Sequence, residues 1–350
     1  MTKKIRLLVL GTGGMAKAHF AHFKLDSRVE IVAASDVVPG RAKEFAATHD
    51  IPNFFTSLED AIAWGKFDAC TNVTPDPIHH PTTMKLLAAK KHVLCEKPLA
   101  ENFKLANEMA TAADKAKLIN MVNLTYRNDA ALHAAKKLVD SGEIGEIRHV
   151  EATYRQSWLV GDHWGHWADL DMWLWRLSEK HGSKGVLGDV GIHILDYAAY
   201  ACGMMPVAVQ SRLKTFDKAP GNKIKDYVLD ANDTAMMMLE FSNGAQGMVQ
   251  ATRFMTGYDN VLDLRIFGTK GAVEVIHREG WNEVRCCIGA NIHTMAWQQI
   301  KPEPVETNYR KFISAIESGK NDSPDFRRAA DLQKVLDAGF VQSGKGAVAL

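Results

Sequence analysis

Three side chains in this 350-residue sequence have the types that proton-coupled chemistry at an alcohol or carbonyl carbon requires. Lys97 lies in VLCEKPLA (93–100), where an apolar, strand-like run meets a charged pair and then a proline. Pro98 fixes its own φ and pushes the preceding residue out of the helical region, so the backbone of the lysine is held. Asp189 and His193 stand four apart in GDVGIHILD (188–196), a spacing that a helix places on one face, and Asp196 adds a third polar residue. An imidazole titrates near neutrality and can take a hydroxyl proton; an ammonium can hold the oxygen and favour its anion. Singly, each residue also has a plain reading. A strand-end lysine is usually solvated, and an Asp–His pair is often a helix-surface pair or a satisfied core histidine. Lys97 could itself carry the proton if its surroundings lowered its pKa.

The elements around these residues decide between the readings. IRLLVLG (5–11), VEIVAASD (29–36), FDACTNVTP (67–75), HVLCEKP (92–98) and INMVN (119–123) are near-continuous in apolar residues, as strands covered on both faces should be. Ala-rich helical stretches such as GRAKEFAATHD (40–50) and HPTTMKLLAAKK (80–91) lie between them. This β-α rhythm predicts an α/β fold with a doubly wound parallel sheet, in which Lys97 ends a strand on the ligand-binding edge. RNDAALHAAKKLVDSGEIGEI (127–147) predicts a helix ending near Gly142. From Val150 onward the strands read as antiparallel, with hairpins over 233–254 and 261–278. The expected organisation is a dinucleotide-binding domain over 1–124 and an α+β domain with a large open, mainly antiparallel sheet over 125–350. The C-terminal helix is expected to pack back on the first domain.

VLGTGGMAKAHF (9–20) carries Gly11-x-Gly13-x-x-Ala16 between a strand and a helix. The first glycine allows the sharp turn, the second lets backbone N–H groups approach a pyrophosphate, and Ala16 lets helix and sheet pack closely. Asp36 ends the second strand 20 residues after Ala16, where a carboxylate accepts from an adenosine ribose and repels a 2′-phosphate. Val37 and Val38 supply no cation for such a phosphate, although Arg41 is near. The cofactor expected is NAD, with NADP the alternative.

The sequence resembles the glucose–fructose oxidoreductase/inositol dehydrogenase/MocA (Gfo/Idh/MocA) oxidoreductases. VTPDPIHH (73–80), HVLCEKPLA (92–100), VDSGEIGEI (139–147), GDVGIHILD (188–196) and IFGTKGAVEV (266–275) occur in that family's order across nearly the whole chain. The resemblance implies a Rossmann domain, a second α+β domain with an open sheet, and oxidation or reduction of a secondary alcohol of a sugar or polyol. It maps Lys97, Asp189 and His193 onto the family's catalytic group. His193 is then the proton acceptor, Lys97 holds the reacting hydroxyl, and Asp189 orients the substrate and sets the charge on the histidine. The cofactor contacts expected are Gly11, Gly13, Gly14, Met15, Asp36, Val37, Thr74, Pro75, Asp76, His79, Glu96, Lys97 and Arg127. Asp76 stands where the family often has Asn, and Ala130 where proline commonly follows the arginine. The Lys97–Pro98 bond is often cis in such proteins.

Substrate contacts are expected from Lys97, Arg127, Tyr154, Gln156, Trp164, Trp167, Asp189 and His193. Five of the eight tryptophans (Trp158, Trp164, Trp167, Trp173, Trp175) fall in 157–176. They could wall a pyranose site or simply pack in a core or an interface. His163 and His166 lack a third ligand at metal-site spacing, so no metal is expected. A net charge of +1 from 42 basic and 41 acidic residues argues against nucleic-acid or membrane partners. Five cysteines without a CxxC pair suit a reducing, cytoplasmic setting. The expected protein is thus a homodimer or homotetramer acting on a small carbohydrate or polyol. Alternatives are an NAD-using glycoside-cleaving enzyme, working by transient oxidation and elimination, and a non-catalytic nucleotide sensor.

Overall fold

The computed structural model describes residues 3–345 and divides into two compact units. The first takes the chain to Thr125 together with Glu306–Gln333; the second takes Tyr126–Val305 and the chain from Lys334 on.

In the first unit β1 (Ile5–Leu10), β2 (Val29–Ser35), β3 (Asn53–Phe55), β4 (Ala69–Asn72), β5 (His92–Cys95) and β6 (Asn120–Val122) form one parallel sheet in the order β3-β2-β1-β4-β5-β6. The crossovers are α1 (Gly14–Lys24), α2 (Arg41–Thr48), α3 (Leu58–Trp64), α4 (Asp76–Ala88) and α5 (Phe103–Ala116). Local chemistry sets their starts: the Ser57 hydroxyl accepts from the Asp60 N–H, and the Asn102 amide oxygen from the Leu105 N–H. β4 and β6 are buried at every position, the pattern of strands covered on both faces. The three-residue β3 is too short to leave a periodic signal in the sequence. The Lys97–Pro98 peptide is cis.

The second unit opens with α6 (Ala130–Asp140), capped by Asp129, whose carboxylate accepts from the Ala131 N–H. β7 (Ile147–Arg155) enters the sheet, and the chain then runs through α7 (Asp171–Leu174) and α8 (Ile192–Cys202) to β8 (Pro206–Lys214). A small ribbon of β9 (Lys223–Ile224) and β10 (Tyr227–Val228) precedes β11 (Thr234–Phe241), β12 (Gln246–Thr252), β13 (Val261–Gly268), β14 (Gly271–Arg278), β15 (Trp281–Ile288) and β16 (Gln298–Ile300). The eight-stranded sheet has the order β16-β15-β14-β13-β7-β12-β11-β8. Its ladders are antiparallel except where β12 runs parallel to β7, because the long excursion between β7 and β8 lets the β11–β12 hairpin return beside β7 in the same direction. β11 alternates, with Ala235, Met237 and Leu239 buried and Met236 and Met238 exposed, so one face of the sheet is covered and one is open. Helix α8 packs on β7, β12 and β13.

α9 (Asn308–Ser318) and α10 (Phe326–Gln342) end the chain. α9 belongs to the first unit, where Tyr309, Phe312 and Ile313 pack with Ile5, Leu7, Phe23, Leu94 and Met121. Among the described residues no helix is long and apolar enough to cross a membrane.

Candidate active site

The glycine turn is built by sterics. Gly11 has φ +84°, and a Cβ there would fall 2.7 Å from the Val73 carbonyl oxygen. Gly13 and Gly14 have no atom within 4 Å of where a Cβ would be, which leaves open space at the start of α1. Gly13 offers the helix no side-chain cap, so first-turn N–H groups remain for an anion. Met15 and Val37 are exposed on this edge. Asp36 accepts from the Thr12 N–H (2.8 Å), the Thr12 hydroxyl (2.8 Å) and the Val38 N–H (2.8 Å). Burial opposes its charge, yet these donors outweigh it and hold the carboxyl below the usual carboxylate range. An open glycine cradle with a fixed anion beside it fits NAD.

The loops after β4 and β5 are stitched together. Thr74 donates through its hydroxyl to the Asn72 amide oxygen (2.7 Å), while Pro75 and Asp76 start α4. His79, expected at the cofactor, is instead wholly buried, its Nδ1 2.7 Å from the Pro98 carbonyl and its Nε2 2.7 Å from the Thr74 carbonyl. Both ring nitrogens are thereby engaged in tying the two loops. Glu96, expected there too, is likewise turned inward. Its Oε1 meets His19 Nε2 (2.7 Å) and accepts from Asn123 Nδ2 (2.7 Å), and its Oε2 accepts from the Lys97 N–H (3.1 Å). The Asn123 amide also donates to the Tyr309 hydroxyl (2.9 Å), and His19 Nδ1 lies 2.6 Å from the Thr71 hydroxyl. Burial would raise the Glu96 pKa, but the His19 hydrogen bond and charge, the Asn123 amide and Lys97 hold it at about 2. Both predicted cofactor contacts support the lysine loop, because their polar atoms are spent inside the fold. Lys97 itself is half-buried at the end of β5.

In the second unit, a single π-helical turn, Leu187–Gly191, runs straight into α8. Asp189 rides on that turn and His193 on the first turn of α8. Gly188 permits the arrangement, since a Cβ there would lie 2.2 Å from the Lys184 Cβ. His193 is buried, with the Tyr126 ring edge-on at 5.0 Å. The Tyr126 hydroxyl bonds the Tyr154 hydroxyl, and burial pushes the Tyr126 phenol up to about 12. Tyr154 donates to the Asn260 amide oxygen (3.1 Å), which also accepts from Gln156 Nε2 (2.8 Å). Tyr154 and Gln156, expected at the substrate, are themselves buried; Tyr126 and Asn260, which they support, are the more open members. Arg127 is buried and forks onto Asp196, Nε to Oδ2 (2.5 Å) and Nη2 to Oδ1 (2.8 Å), with its guanidinium 3.7 Å from the Tyr200 ring centroid. That pairing fixes Arg127 against α8.

Asp189 Oδ2 receives Arg253 Nη2 at 3.2 Å and stands 3.8 Å from Arg176 Nε. The tryptophan-rich segment forms a core of its own, Trp158, Leu159, Trp167, Leu174, Leu177 and Leu229, with Trp164 and Trp173 packed on it. Trp164 stacks on Trp173 at 5.7 Å, so Trp164 and Trp167 direct their faces chiefly at protein. Among the described residues no three His, Cys, Asp or Glu side chains gather as a metal would require.

The sequence model of the NAD-binding Rossmann fold of the oxidoreductase family matches residues 5–124, and that of the GFO/IDH/MocA C-terminal domain matches 132–274. Levoglucosan dehydrogenase of Pseudarthrobacter phenanthrenivorans is 32% identical over 290 residues, 76% of this chain and 72% of that protein. The chain belongs to the Gfo/Idh/MocA oxidoreductase family. Inositol 2-dehydrogenase of Rhizobium meliloti is 28% identical over 274 residues, 77% of this chain and 74% of that one. A solved levoglucosan dehydrogenase in complex with NADH and L-sorbose superposes with a TM-score of 0.83 at 25% identity, covering 98% of both chains. This Gfo/Idh/MocA chain is an NAD-binding oxidoreductase.

Sequence reasoning missed His19, Asn123, Tyr126, Arg253, Asn260 and Tyr309 in this Gfo/Idh/MocA chain. Arg253 alone had a usable signal: in QATRF it ends an apolar strand with a charge, as Lys97 does in VLCEK.

Proposed function

We propose that this chain oxidises a secondary ring hydroxyl of a sugar, glycoside or inositol, or reduces the corresponding ketone, with Lys97, Asp189 and His193 as its catalytic group. The supporting observation is the position of Lys97. It lies just past the end of β5 (His92–Cys95), two strands from β1 and its glycine turn in the same parallel sheet, on the C-terminal edge where such sheets bind their ligands. When bound, NAD supplies the acceptor that takes the carbinol hydrogen as a hydride. The protein's part is the proton: an imidazole nitrogen of His193 takes it from the hydroxyl, leaving a carbonyl. The Lys97 ammonium donates to the same oxygen and stabilises the alkoxide as it forms. Asp189, faced by Arg253 and Arg176, accepts from the substrate and favours the protonated histidine. Asp36 selects NAD, since its fixed negative charge meets a 2′-phosphate unfavourably.

The test is to screen pyranoses, glycosides and inositols for NADH formation by absorbance, and to repeat the best substrate with Lys97→Ala. The expected result is stoichiometric NADH from the native chain and loss of turnover in the variant with NAD binding retained. Near-normal turnover in Lys97→Ala, or cleavage of a glycoside with the cofactor recycled, overturns the reading.

The same reading includes a homodimer or homotetramer assembled through the open sheet face, where Met236, Met238 and Met248 are exposed and Met238 pairs with Met248 across the β11–β12 ladder. Sedimentation equilibrium of the native chain and of Met238→Glu checks it: a native oligomer that dissociates in the variant is expected, and a native monomer rejects it.

A further inference from the structure

A fully buried arginine is an expensive residue. Arg253, just past β12, has no solvent exposure. Its guanidinium carbon is 4.9 Å from the Trp158 ring centroid; Nη1 donates to the Arg176 carbonyl (3.2 Å) and Nη2 to Asp189 Oδ2 (3.2 Å). Among the described residues Nε finds no acceptor. Burial lowers the Arg253 pKa, opposed by the charges of Asp189 and Asp233. Asp233 is already paired with the buried Lys218 at 2.6 Å. The ion pair that the buried Arg253 makes with Asp189 contributes little to stability compared with an apolar side chain of similar volume. Its anionic partner is not buried, because the Asp189 side chain is 27% exposed and faces Arg176 as well. The neighbouring tryptophans seat these cations. Arg176 lies over Trp175 (4.5 Å) and Trp173 (5.3 Å), and Trp158 packs on Trp173 at 5.1 Å.

We infer that Arg253 is a positioning residue for Asp189, that it fixes the carboxylate in the orientation needed for catalysis, and that the tryptophan-rich segment serves the reaction by seating this arginine and Arg176. The inference rests on the reading of Asp189 as a catalytic group. An arginine is suited to the task because its charge persists at every working pH and its planar fork spans two acceptors at once. A lysine offers the charge without the fork. The Arg176 carbonyl is the second anchor, so the fork cannot swing away from Asp189 without giving up that bond.

The experiment compares Arg253→Met and Arg253→Lys, each alone and combined with Asp189→Asn, by thermal melts and by steady-state NADH formation on the substrate the screen supplies. Arg253→Met is expected to melt close to the native protein, because water and Arg176 serve Asp189 when the buried charge is gone. Its kcat is expected to fall by about 10- to 100-fold, the scale on which a misplaced catalytic group acts, with the KM for NAD unchanged. Arg253→Lys is expected to recover part of that loss. On the Asp189→Asn background, Arg253→Met is expected to lower the residual turnover no further, since the residue it acts through is gone. Full kcat in Arg253→Met, or the same fold-loss on both backgrounds, overturns the inference. If Arg253→Met does not fold, Arg253→Lys decides, and a native kcat there overturns it. A fully active Asp189→Asn sinks the catalytic reading of Asp189 itself. An inactive Asp189→Asn beside a fully active Arg253→Met sinks only the role of Arg253.

Discussion

Two carboxylates, one in each unit, take opposite parts: Glu96 supports a group assigned to chemistry, and Asp189 is such a group. Glu96 is buried, and its acceptor capacity is spent on the imidazole of His19, the amide of Asn123 and the backbone N–H of Lys97. Asp189 is partly open and is approached by two arginines, one of them wholly buried. In the first unit the carboxylate is the scaffold and the cation, Lys97, is presented. In the second the cation is the scaffold and the carboxylate is presented. A buried carboxylate that satisfies several donors cannot be removed without orphaning them, so Glu96 should matter to stability. A buried arginine whose partner can turn to water should matter mainly to geometry. Support for Lys97 is thus bound up with folding, while support for Asp189 is separable from it.

The largest test of this contrast is Glu96→Gln. The folded Glu96 pKa of about 2 lies below the ordinary value of 4.5. Its stabilisation is therefore complete above about pH 4.5 and is lost as pH falls through 2. Two and a half units correspond to about 3 kcal/mol. Urea denaturation should show Glu96→Gln less stable than the native chain by about that amount at pH 7. The gap should shrink to less than half of this by pH 3, where the native carboxyl no longer offers its full advantage. A gap that is small at pH 7, or that does not narrow in acid, would remove the distinction between the two supports, since Glu96 would then be no more tied to folding than Arg253.

Why the sequence disclosed one kind of residue and hid the other follows from range. The parallel strands and the Gly11–Gly13 turn announce themselves because each depends on neighbours a few residues away. Lys97 was legible for the same reason: a charge and a proline interrupt an apolar run. His19, Asn123 and Tyr309 matter only through contacts 77, 27 and 186 residues apart along the chain, and nothing local marks them. His19 reads as one more residue on an amphipathic helix. The tryptophans of 157–176 were conspicuous by type, yet type alone could not separate a sugar-stacking wall from a core that seats arginines. Glu96 and His79 are expected at the cofactor because their motifs are there, but a motif marks a loop, not the direction of each side chain. Both turn inward, one to His19 and Asn123, the other to two backbone carbonyls.

The smallest test asks how far the support of Lys97 extends. Tyr309 comes from α9, the returning segment of the first unit, and its hydroxyl accepts the second proton of the Asn123 amide at 2.9 Å. The first proton of that amide goes to Glu96 at 2.7 Å. Tyr309→Phe keeps the ring, which packs edge-on to His19 at 5.0 Å and stacks with His22 at 4.2 Å, and removes only the acceptor. One buried N–H is then left without its partner, at a cost of about 1 kcal/mol. Because Glu96 still holds both Asn123 and the Lys97 backbone, kcat should stay native while the urea midpoint falls. A native midpoint would confine the network to His19, Glu96 and Asn123. A fall in kcat larger than the fall in stability would show instead that α9 helps to aim the lysine, and support for Lys97 would then resemble the arginine support of Asp189 more than its burial suggests.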